Sequence, residues 1–325
     1  MPFATPDETM YRALKQGAGC VQLAGRTQIS VTGGDRAKLL HSFCTANVNA
    51  LFPGEGCEAF ILNGKGKVLG FVYLFCQTDS ILLETVPAQA DKLIAHLDRY
   101  VIREDVRFQD QTETKTELLL AGSEAADCLC ASGVAELPQV YCGSLESRID
   151  ARDVFIRKVE WTSPLDFLIS CRASDCQAVC TALAAAGATA CDLSTFEVAR
   201  IEFGTPLYGI DMSDENLPQE LNRDQRAISF TKGCYLGQET VARLDAMGHV
   251  NKVFIGARFE QDAEIESDAE WQADGKSIGR VTSVCRSPRA DGVLALGYVK
   301  TKFANPGCAI VCNGATGTIV QLPLK

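Results

Sequence analysis

The sequence has little histidine, no long apolar run and no excess of positive charge, and each shortage argues against a class of function. Its three histidines, His41, His96 and His249, are widely separated, so a histidine-based metal site or catalytic triad has little material. No run of about 18 apolar residues, the length that a membrane helix needs, is present. Acidic residues outnumber basic ones by 41 to 31, which opposes a large phosphate-binding surface. We therefore expect no membrane partner and no strong direct nucleic-acid binding.

The first residues, MPFATPDETMYRALKQ, carry acids where a signal or transit peptide carries bases. This pattern predicts that the protein stays where it is made, in the cytoplasm. With 325 residues, of which 46% are hydrophobic, the chain can bury a core in two or three domains.

Cysteine is abundant instead, at fifteen residues. In a large chain without an export signal we interpret them as reduced thiols rather than disulfides. The closely spaced pairs are 128 with 130, 176 with 180, and 308 with 312, and none has the spacing of a zinc site. The sequence thus predicts no metal site. Cys176 and Cys180 lie one helical turn apart, and we interpret them as small apolar side chains on a helix face.

Short β-rich runs mixed with a few helices are typical of an α+β fold. Residues 20–32 form two predicted strands around a turn at Gly25, and Asn63-Gly64 is a hairpin signal. A second unit begins near residue 116 and has the order strand, helix, strand, strand, helix of a split β-α-β arrangement.

The later part of the chain carries helix signals and then a barrel pattern. Ser194-x-x-Glu197 is a predicted capping box for a further helix, and Gly204 stands where a left-handed residue would end it. From about residue 250, short strands and turns predict a small β-barrel. The seven acids from Glu260 to Asp274 are predicted to form a solvated edge rather than a metal site.

The most informative segment for chemistry surrounds Cys234. Gly233 and Gly237 flank it and permit unusual backbone angles, and a helix is predicted to begin near residue 237. The positive end of that helix, together with Lys232, would favour the thiolate form of Cys234. The alternative is that Cys234 is one more buried thiol.

The letters KGCYLGQE (232–239) resemble the signature of the YgfZ family, folate-binding relatives of the glycine cleavage T-protein. The resemblance extends to FCTANV (43–48), to ARIEFGTPLYGID (199–211), and to IGRVTSVCRSP and LALGYV near the end, so it covers essentially the whole chain. It implies a T-protein-like three-domain body around a central folate pocket. The implied domains are a discontinuous folate-binding domain (1–112 and 205–248), a ferredoxin-like middle domain (113–204) and a C-terminal β-barrel (249–325).

The resemblance also implies a ligand, tetrahydrofolate or another reduced folate, and residues that hold it. Glu202 matches the glutamate that holds the pterin, and a carboxylate can accept the donor pair that a pterin presents. Asp211 matches an acid that orients arginine or ligand groups. Phe196 would stack on one face of the pterin, and Arg26 would cover the other.

One departure from the T-protein pattern bears on activity. T-protein enzymes carry an Asp pair in the first long strand, whereas Gly70-Phe71 stands there in this chain. Because the missing carboxylate is tied to proton handling, the sequence predicts absent or very slow aminomethyl transfer.

The sequence therefore leads to one main interpretation and two alternatives. The main one is a folate-binding protein that supports iron-sulfur cluster assembly or repair, and tRNA-modifying iron-sulfur enzymes, with Cys234 and Lys232 as its chemical residues. Its partners would be iron-sulfur enzymes or their assembly factors. The first alternative is a folate-dependent aminomethyltransferase in which Asp211 or Glu239 replaces the missing acid. The second is a folate-binding module that catalyses nothing.

Overall fold

The computed structural model describes residues 4–248 and 250–324, so His249 lies outside the described residues. Within them the helices are α1 (Glu8–Gln16), α2 (Arg36–Phe43), α3 (Ala90–Asp98), α4 (Ala125–Ala131), α5 (Cys176–Ala185), α6 (Leu193–Phe203), α7 (Asp224–Ala227) and α8 (Gln238–Met247). Short 3-10 turns lie at Val48–Ala50, Ala173–Asp175, Pro218–Leu221 and Thr301–Phe303.

The strands of the same ranges are β1 (Gly19–Leu23), β2 (Thr27–Thr32), β3 (Gly56–Leu62), β4 (Val68–Cys76), β5 (Ser80–Thr85), β6 (Arg107–Asp110), β7 (Lys115–Ala121), β8 (Ser144–Ile149), β9 (Arg152–Val159), β10 (Asp166–Arg172), β11 (Thr189–Cys191), β12 (Lys252–Phe259), β13 (Glu270–Ala273), β14 (Lys276–Ser287), β15 (Gly292–Lys300), β16 (Ala309–Cys312) and β17 (Ala315–Val320).

These strands form two open sheets and one barrel. One sheet has the order β3-β4-β5-β2-β6, the other has β11-β1-β7-β10-β9-β8, and the barrel closes as β12-β15-β14-β13-β16-β17. The predicted α+β fold with a C-terminal barrel is therefore confirmed. The two strands predicted around Gly25 are present, but β1 joins the six-stranded sheet and β2 the five-stranded one. The chain changes sheets at Gly25, whose φ of 71° favours glycine. The exact domain boundaries stay a prediction.

The two ends of α6 test the sequence predictions for where this helix starts and stops. Gly204 ends the helix in the left-handed conformation, with φ 85°, as predicted. The capping-box prediction was wrong in its residues. Asp192 is the N-cap, and its carboxylate accepts a hydrogen bond from the Thr195 amide at 2.7 Å. Glu197 instead bonds Arg200 within the same helix, because that cation is buried and needs an acceptor.

The largest core lies where both sheets and the barrel meet. Aromatic side chains of β4 alternate toward it and contact one another, with Phe71 and Tyr73 5.6 Å apart between ring centres. Trp161, Phe196 and, from the barrel, Phe254 belong to the same cluster. Aromatic side chains bury much area with few rotatable bonds, so this junction is the rigid centre of the molecule.

The exposed surface agrees with one further prediction. All seven acids between Glu260 and Asp274 are exposed, as a solvated edge requires. Among the described residues, none of the helices has the length and apolar character needed to cross a bilayer.

Candidate functional site

A small, partly open space, which we call the inner cavity, lies at the central aromatic junction. Its volume of about 10 Å³ leaves room for roughly one water molecule. Its walls come from β4 and β5 of the five-stranded sheet, from α6 and the segment after it, and from loop residues. The lining residues are Arg26, Phe71, Tyr73, Thr85, Val86, Trp161, Phe196, Thr205, Pro206 and Leu207.

The inner cavity brings together Arg26 and Phe196, two of the residues predicted to hold a ligand. The Arg26 guanidinium lies over the Trp161 ring, 4.3 Å from its centre, and pairs with the buried Glu84 carboxylate. Phe71, at the position where the family resemblance predicts an acid in T-protein enzymes, forms part of the same wall.

A wider opening, which we call the outer cleft, has a volume of about 660 Å³. Its residues Glu160 and Gly204 directly precede Trp161 and Thr205 of the inner cavity, so the same two chain segments border both spaces. Two arginines line the cleft. Arg223 is bound by the buried Glu58 carboxylate, whereas Arg226 pairs with Glu160 at 2.6 Å and is 39% exposed. Arg226 is therefore the more accessible cation.

Behind Arg26 lies a group of buried charges with incomplete hydrogen bonding. Glu84 pairs with Arg26, and Glu117 pairs with Arg157, all four of them nearly or fully buried. Among the described residues, several polar atoms here are buried without a hydrogen-bond partner: one carboxylate oxygen of each glutamate, Nε and Nη1 of Arg157, and the side-chain amide nitrogen of Gln28. Each such atom costs about 1–3 kcal/mol unless water or a ligand completes it.

Burial raises the pKa of Glu84, and the positive charge of Arg26 opposes the rise. Gln28 and Glu84 are cross-strand partners on β2 and β5 and so share one face of the sheet. The free oxygen of Glu84 and the free amide of Gln28 form an acceptor and donor near the inner cavity.

Glu202 does not join this group. Its carboxylate lies between α1, α6 and the barrel, where it accepts from the Tyr11 hydroxyl at 2.9 Å and the Ser287 hydroxyl at 2.7 Å. The Lys15 ammonium is 3.0 Å away. Burial and the Glu202 carboxylate raise the pKa of Tyr11, which keeps that hydroxyl protonated as a donor. The donors of the chain itself thus occupy Glu202, and its predicted contact with a pterin stays a prediction that this geometry does not favour.

Asp211 is equally occupied. It pairs with the buried Arg200 at 2.8 Å and accepts from the hydroxyls of Thr282 and Ser283 at 2.6 and 2.7 Å. The expectation that Asp211 orients an arginine matches this contact. Because every oxygen of Asp211 already has donors, it is a poor substitute for a catalytic acid. Glu239 is exposed on the first turn of α8.

Cys234 is exposed on a segment that crosses α2. Two backbone hydrogen bonds hold this segment. The Ser229 N–H donates to the Thr45 carbonyl and the Leu236 N–H donates to the Ser42 carbonyl, both at 2.9 Å. The helix predicted near residue 237 begins at Gln238, after Gly237 with φ 83°. The residues lining the inner cavity and the outer cleft do not include Cys234.

Lys232 is used differently from the prediction. Its ammonium donates to the carbonyl oxygens of His41, Cys44 and Ala46 at 2.5, 2.8 and 2.6 Å. An ammonium has three donors, so these contacts use all of them. Lys232 thereby fixes the 41–46 segment, and its predicted effect on the Cys234 thiol stays a prediction.

Sequence reasoning missed Glu84, Trp161 and Arg226. Glu84 follows two leucines in a strand that is buried from Ile81 to Thr85, and a charge within an apolar run is a signal that can be read from the sequence. Trp161 and Arg226 carry no comparable signal, because only the meeting of distant segments makes them neighbours of a cavity.

The chain matches two family models in succession. The GCVT N-terminal domain covers residues 6–232, and the glycine cleavage T-protein C-terminal barrel domain covers residues 252–322. A putative chloroplastic transferase of Arabidopsis thaliana is 27% identical over 320 residues, 98% of this chain and 73% of the relative. An aminomethyltransferase of Synechocystis is 26% identical over 310 residues, 91% of this chain and 81% of the relative.

The crystal structure of the glycine cleavage system aminomethyltransferase T from Bartonella henselae superposes on 98% of this chain and 89% of its own, with a TM-score of 0.88 and 19% identity. This likeness shows the fold. The YgfZ branch and the cytoplasmic location stay predictions. Because the first family model alone spans more than half of the sequence, this chain belongs to the glycine cleavage T-protein family.

Proposed function

We propose that this chain binds a reduced folate at the inner cavity and the outer cleft, and that it catalyses a folate-dependent group transfer of the aminomethyltransferase class. The observation that carries the proposal is the aromatic cavity walled by Arg26, Trp161 and Phe196 beside a cleft of about 660 Å³. A flat heteroaromatic ring prefers such stacking walls, and the cleft has the size of known ligand sites.

The buried polar atoms fit a pterin. A pterin ring presents both donors and acceptors at its edge, and Glu84 and Gln28 offer one unpaired acceptor and one unpaired donor. The inner cavity is too small for the ring unless Arg26 moves off Trp161, so we infer that binding opens this stack. In the outer cleft, Arg226 can exchange Glu160 for a carboxylate of the folate tail. When bound, a reduced folate supplies nitrogen atoms that carry a one-carbon unit.

The comparisons support the aminomethyltransferase alternative better than the iron-sulfur interpretation, since relatives over nearly the whole chain bear that name. The rate of transfer then depends on which residue at the inner cavity can supply a proton. Phe71 supplies no proton, and Asp211 is occupied by Arg200. Glu84 is then the carboxylate best placed to serve the cavity, through its free oxygen behind Arg26.

Calorimetry with tetrahydrofolate tests the binding site. Phe196→Leu should weaken binding about three- to tenfold, because an aromatic stack contributes about 0.5–1.5 kcal/mol beyond area. Phe259→Leu, at a buried phenylalanine of the barrel that lines neither space, is the matched control and should leave affinity unchanged. Equal losses in both variants would contradict the site.

An aminomethyl-carrier assay with tetrahydrofolate tests the transfer. Turnover that needs both the carrier and the folate and is lost in Glu84→Gln would support a transferase. Folate binding without any turnover would leave the binding site standing and reject the transferase.

A second candidate is support of iron-sulfur enzymes through Cys234, and its exposure on a firmly held segment favours it. Cys234→Ser should retain folate binding and fold stability while failing to restore iron-sulfur enzyme activity in cells that lack the protein. Cys130→Ser, at another exposed thiol, is the control. Full rescue by Cys234→Ser would reject this candidate.

A further inference from the structure

The start of α5 brings two thiols into contact. Cys176 is the first residue of this helix and Cys180 lies one turn further on, and their sulfur atoms are 4.0 Å apart. Both side chains are partly exposed. Both also pack against the hydrophobic cluster between α5 and the six-stranded sheet, to which the buried Cys171 belongs. We call Cys176 and Cys180 the thiol pair.

We propose that the thiol pair is a binding site for a soft monovalent metal ion, copper(I), which lies between the two sulfur atoms. This assignment replaces the interpretation of the two cysteines as small apolar side chains. Neither residue lines the inner cavity or the outer cleft, so the assignment does not depend on the proposed function.

The helix keeps the thiol pair from closing into a disulfide. Side chains four residues apart on a helix have Cβ atoms about 5–6 Å apart, whereas a disulfide needs Cβ atoms about 3.5–4.5 Å apart. The sulfur atoms would also have to approach from 4.0 Å to the length of a sulfur–sulfur bond. That bond is about 2 Å long. The pair therefore stays available as two separate sulfur ligands.

The spacing suits an ion between the two sulfur atoms. A zinc–sulfur bond is about 2.3 Å long, so two sulfur atoms on opposite sides of an ion of similar size lie about 4.6 Å apart. Small rotations about the Cα–Cβ bonds bring the observed 4.0 Å to that separation. The backbone of α5 can therefore stay as it is when the ion binds.

The number of ligands selects the ion. Structural zinc takes four protein ligands, and calcium and magnesium take six or more, mostly oxygen atoms. Among the described residues, no group of three or more histidine, cysteine, aspartate and glutamate side chains is arranged to hold a metal ion. Copper(I) prefers soft thiolate ligands and is satisfied by two of them in a linear arrangement. The thiol pair therefore fits copper(I) better than these other ions.

The position at the helix start suits the charge of the complex. Each thiol loses its proton as the ion binds, so two protons leave and one copper(I) ion with two thiolates carries a single negative charge. The positive end of α5 stabilises negative charge in its first turn, where Asp175 at the N-cap makes no side-chain hydrogen bond. The Asp175 carboxylate faces Arg152 at 3.9 Å, which offsets its own charge.

A competition titration of the reduced full chain with copper(I), under anaerobic conditions, tests the proposal. Bicinchoninate, which forms a coloured complex with copper(I), is the competing probe. The wild type should take one copper(I) ion per chain from the probe, and X-ray absorption of that sample should show two sulfur neighbours at the ion. Zinc at the same concentration should not displace it. No uptake of copper, or three or four sulfur neighbours, would overturn the assignment.

Two variants and a matched control locate the ion. Cys176→Ser and Cys180→Ser should each lower the affinity for copper(I) about 100-fold or more, because loss of even a supporting group around a metal costs about 10–100-fold. Cys308 and Cys312 have the same spacing in sequence but lie along β16, where residues four apart are about 13 Å from each other. Cys308→Ser should therefore leave the affinity unchanged. Equal losses in all three variants would contradict the site.

Discussion

Two buried carboxylates distinguish a structural site from the proposed ligand site in this protein. Glu202 has protein donors around it from Tyr11, Lys15 and Ser287. Glu84 has Arg26 on one oxygen, and its other oxygen has no hydrogen-bond partner in the part of the chain that the structure describes. Both are almost completely buried, at 1% and 0% exposure. The difference between them is therefore in hydrogen bonding and not in burial.

The comparison teaches which of the two a folate would use. A carboxylate whose acceptors are filled must give up donors before it can bind a ligand, and it gains little by the exchange. A carboxylate with an orphaned oxygen gains a hydrogen bond that the free protein lacks. The family motif points to Glu202 as the residue that binds folate, whereas the unpaired carboxylate oxygen points to Glu84.

The largest expected effect is on stability, at Glu202. Glu202→Gln should lower the free energy of unfolding by about 3 kcal/mol, because it leaves Lys15 without its buried partner. Glu8→Gln, at an exposed ion pair on the same α1, should cost less than about 1 kcal/mol. Denaturant unfolding measures both. A near-neutral Glu202→Gln that loses folate affinity would instead restore Glu202 as the pterin ligand.

The next effect is on folate affinity, at Glu84. Glu84→Gln keeps an acceptor for Arg26 but removes the charge, so tetrahydrofolate affinity should fall about tenfold or more, as for a lost charged hydrogen bond of about 1.5–3 kcal/mol. Stability should also fall, because the change leaves the buried Arg26 without its charged partner, although the burial that raises the pKa of Glu84 offsets part of the loss. Calorimetry and unfolding on the same preparation separate the two. Unchanged affinity would remove Glu84 from the site.

Local signals in the sequence were enough for much of the fold. Alternating short strands predicted the barrel, and Gly204 predicted the end of α6, because both depend on residues close in sequence. The sheet change at Gly25 was not predictable in the same way. Whether β1 and β2 pair with each other or with different sheets depends on strands up to 170 residues further along the chain.

The site was predictable only in part for the same reason. Phe196 and Arg26 were named from the family resemblance and do meet at one cavity. Glu202 was named by the same reasoning, yet Tyr11 is 191 positions away from it and decides its role. No sequence motif reports whether a buried oxygen finds a donor. Whether a buried polar atom has a hydrogen-bond partner depends on how the whole molecule packs.

The smallest expected effect extends the comparison to the edge of the outer cleft. Asp224 directly follows the cleft residue Arg223, and one of its oxygens is buried without a hydrogen-bond partner among the described residues. Burial, with a smaller contribution from Asp245, raises the pKa of Asp224 to about 6 from the ordinary 3.8. The folded state thus holds the proton more tightly than the unfolded one, so this group makes stability fall as pH rises from about 4 to 6.

Asp224→Asn should raise the free energy of unfolding at pH 7 by about 1 kcal/mol and should have no effect at pH 3.5. The expected gain is smaller than the full pKa shift implies, because solvent partly screens this charge. Asp245→Asn should give a smaller gain of the same sign. Unfolding measured across this range would contradict the argument if Asp224→Asn were less stable than the wild type at pH 7, because the free oxygen would then have a partner after all.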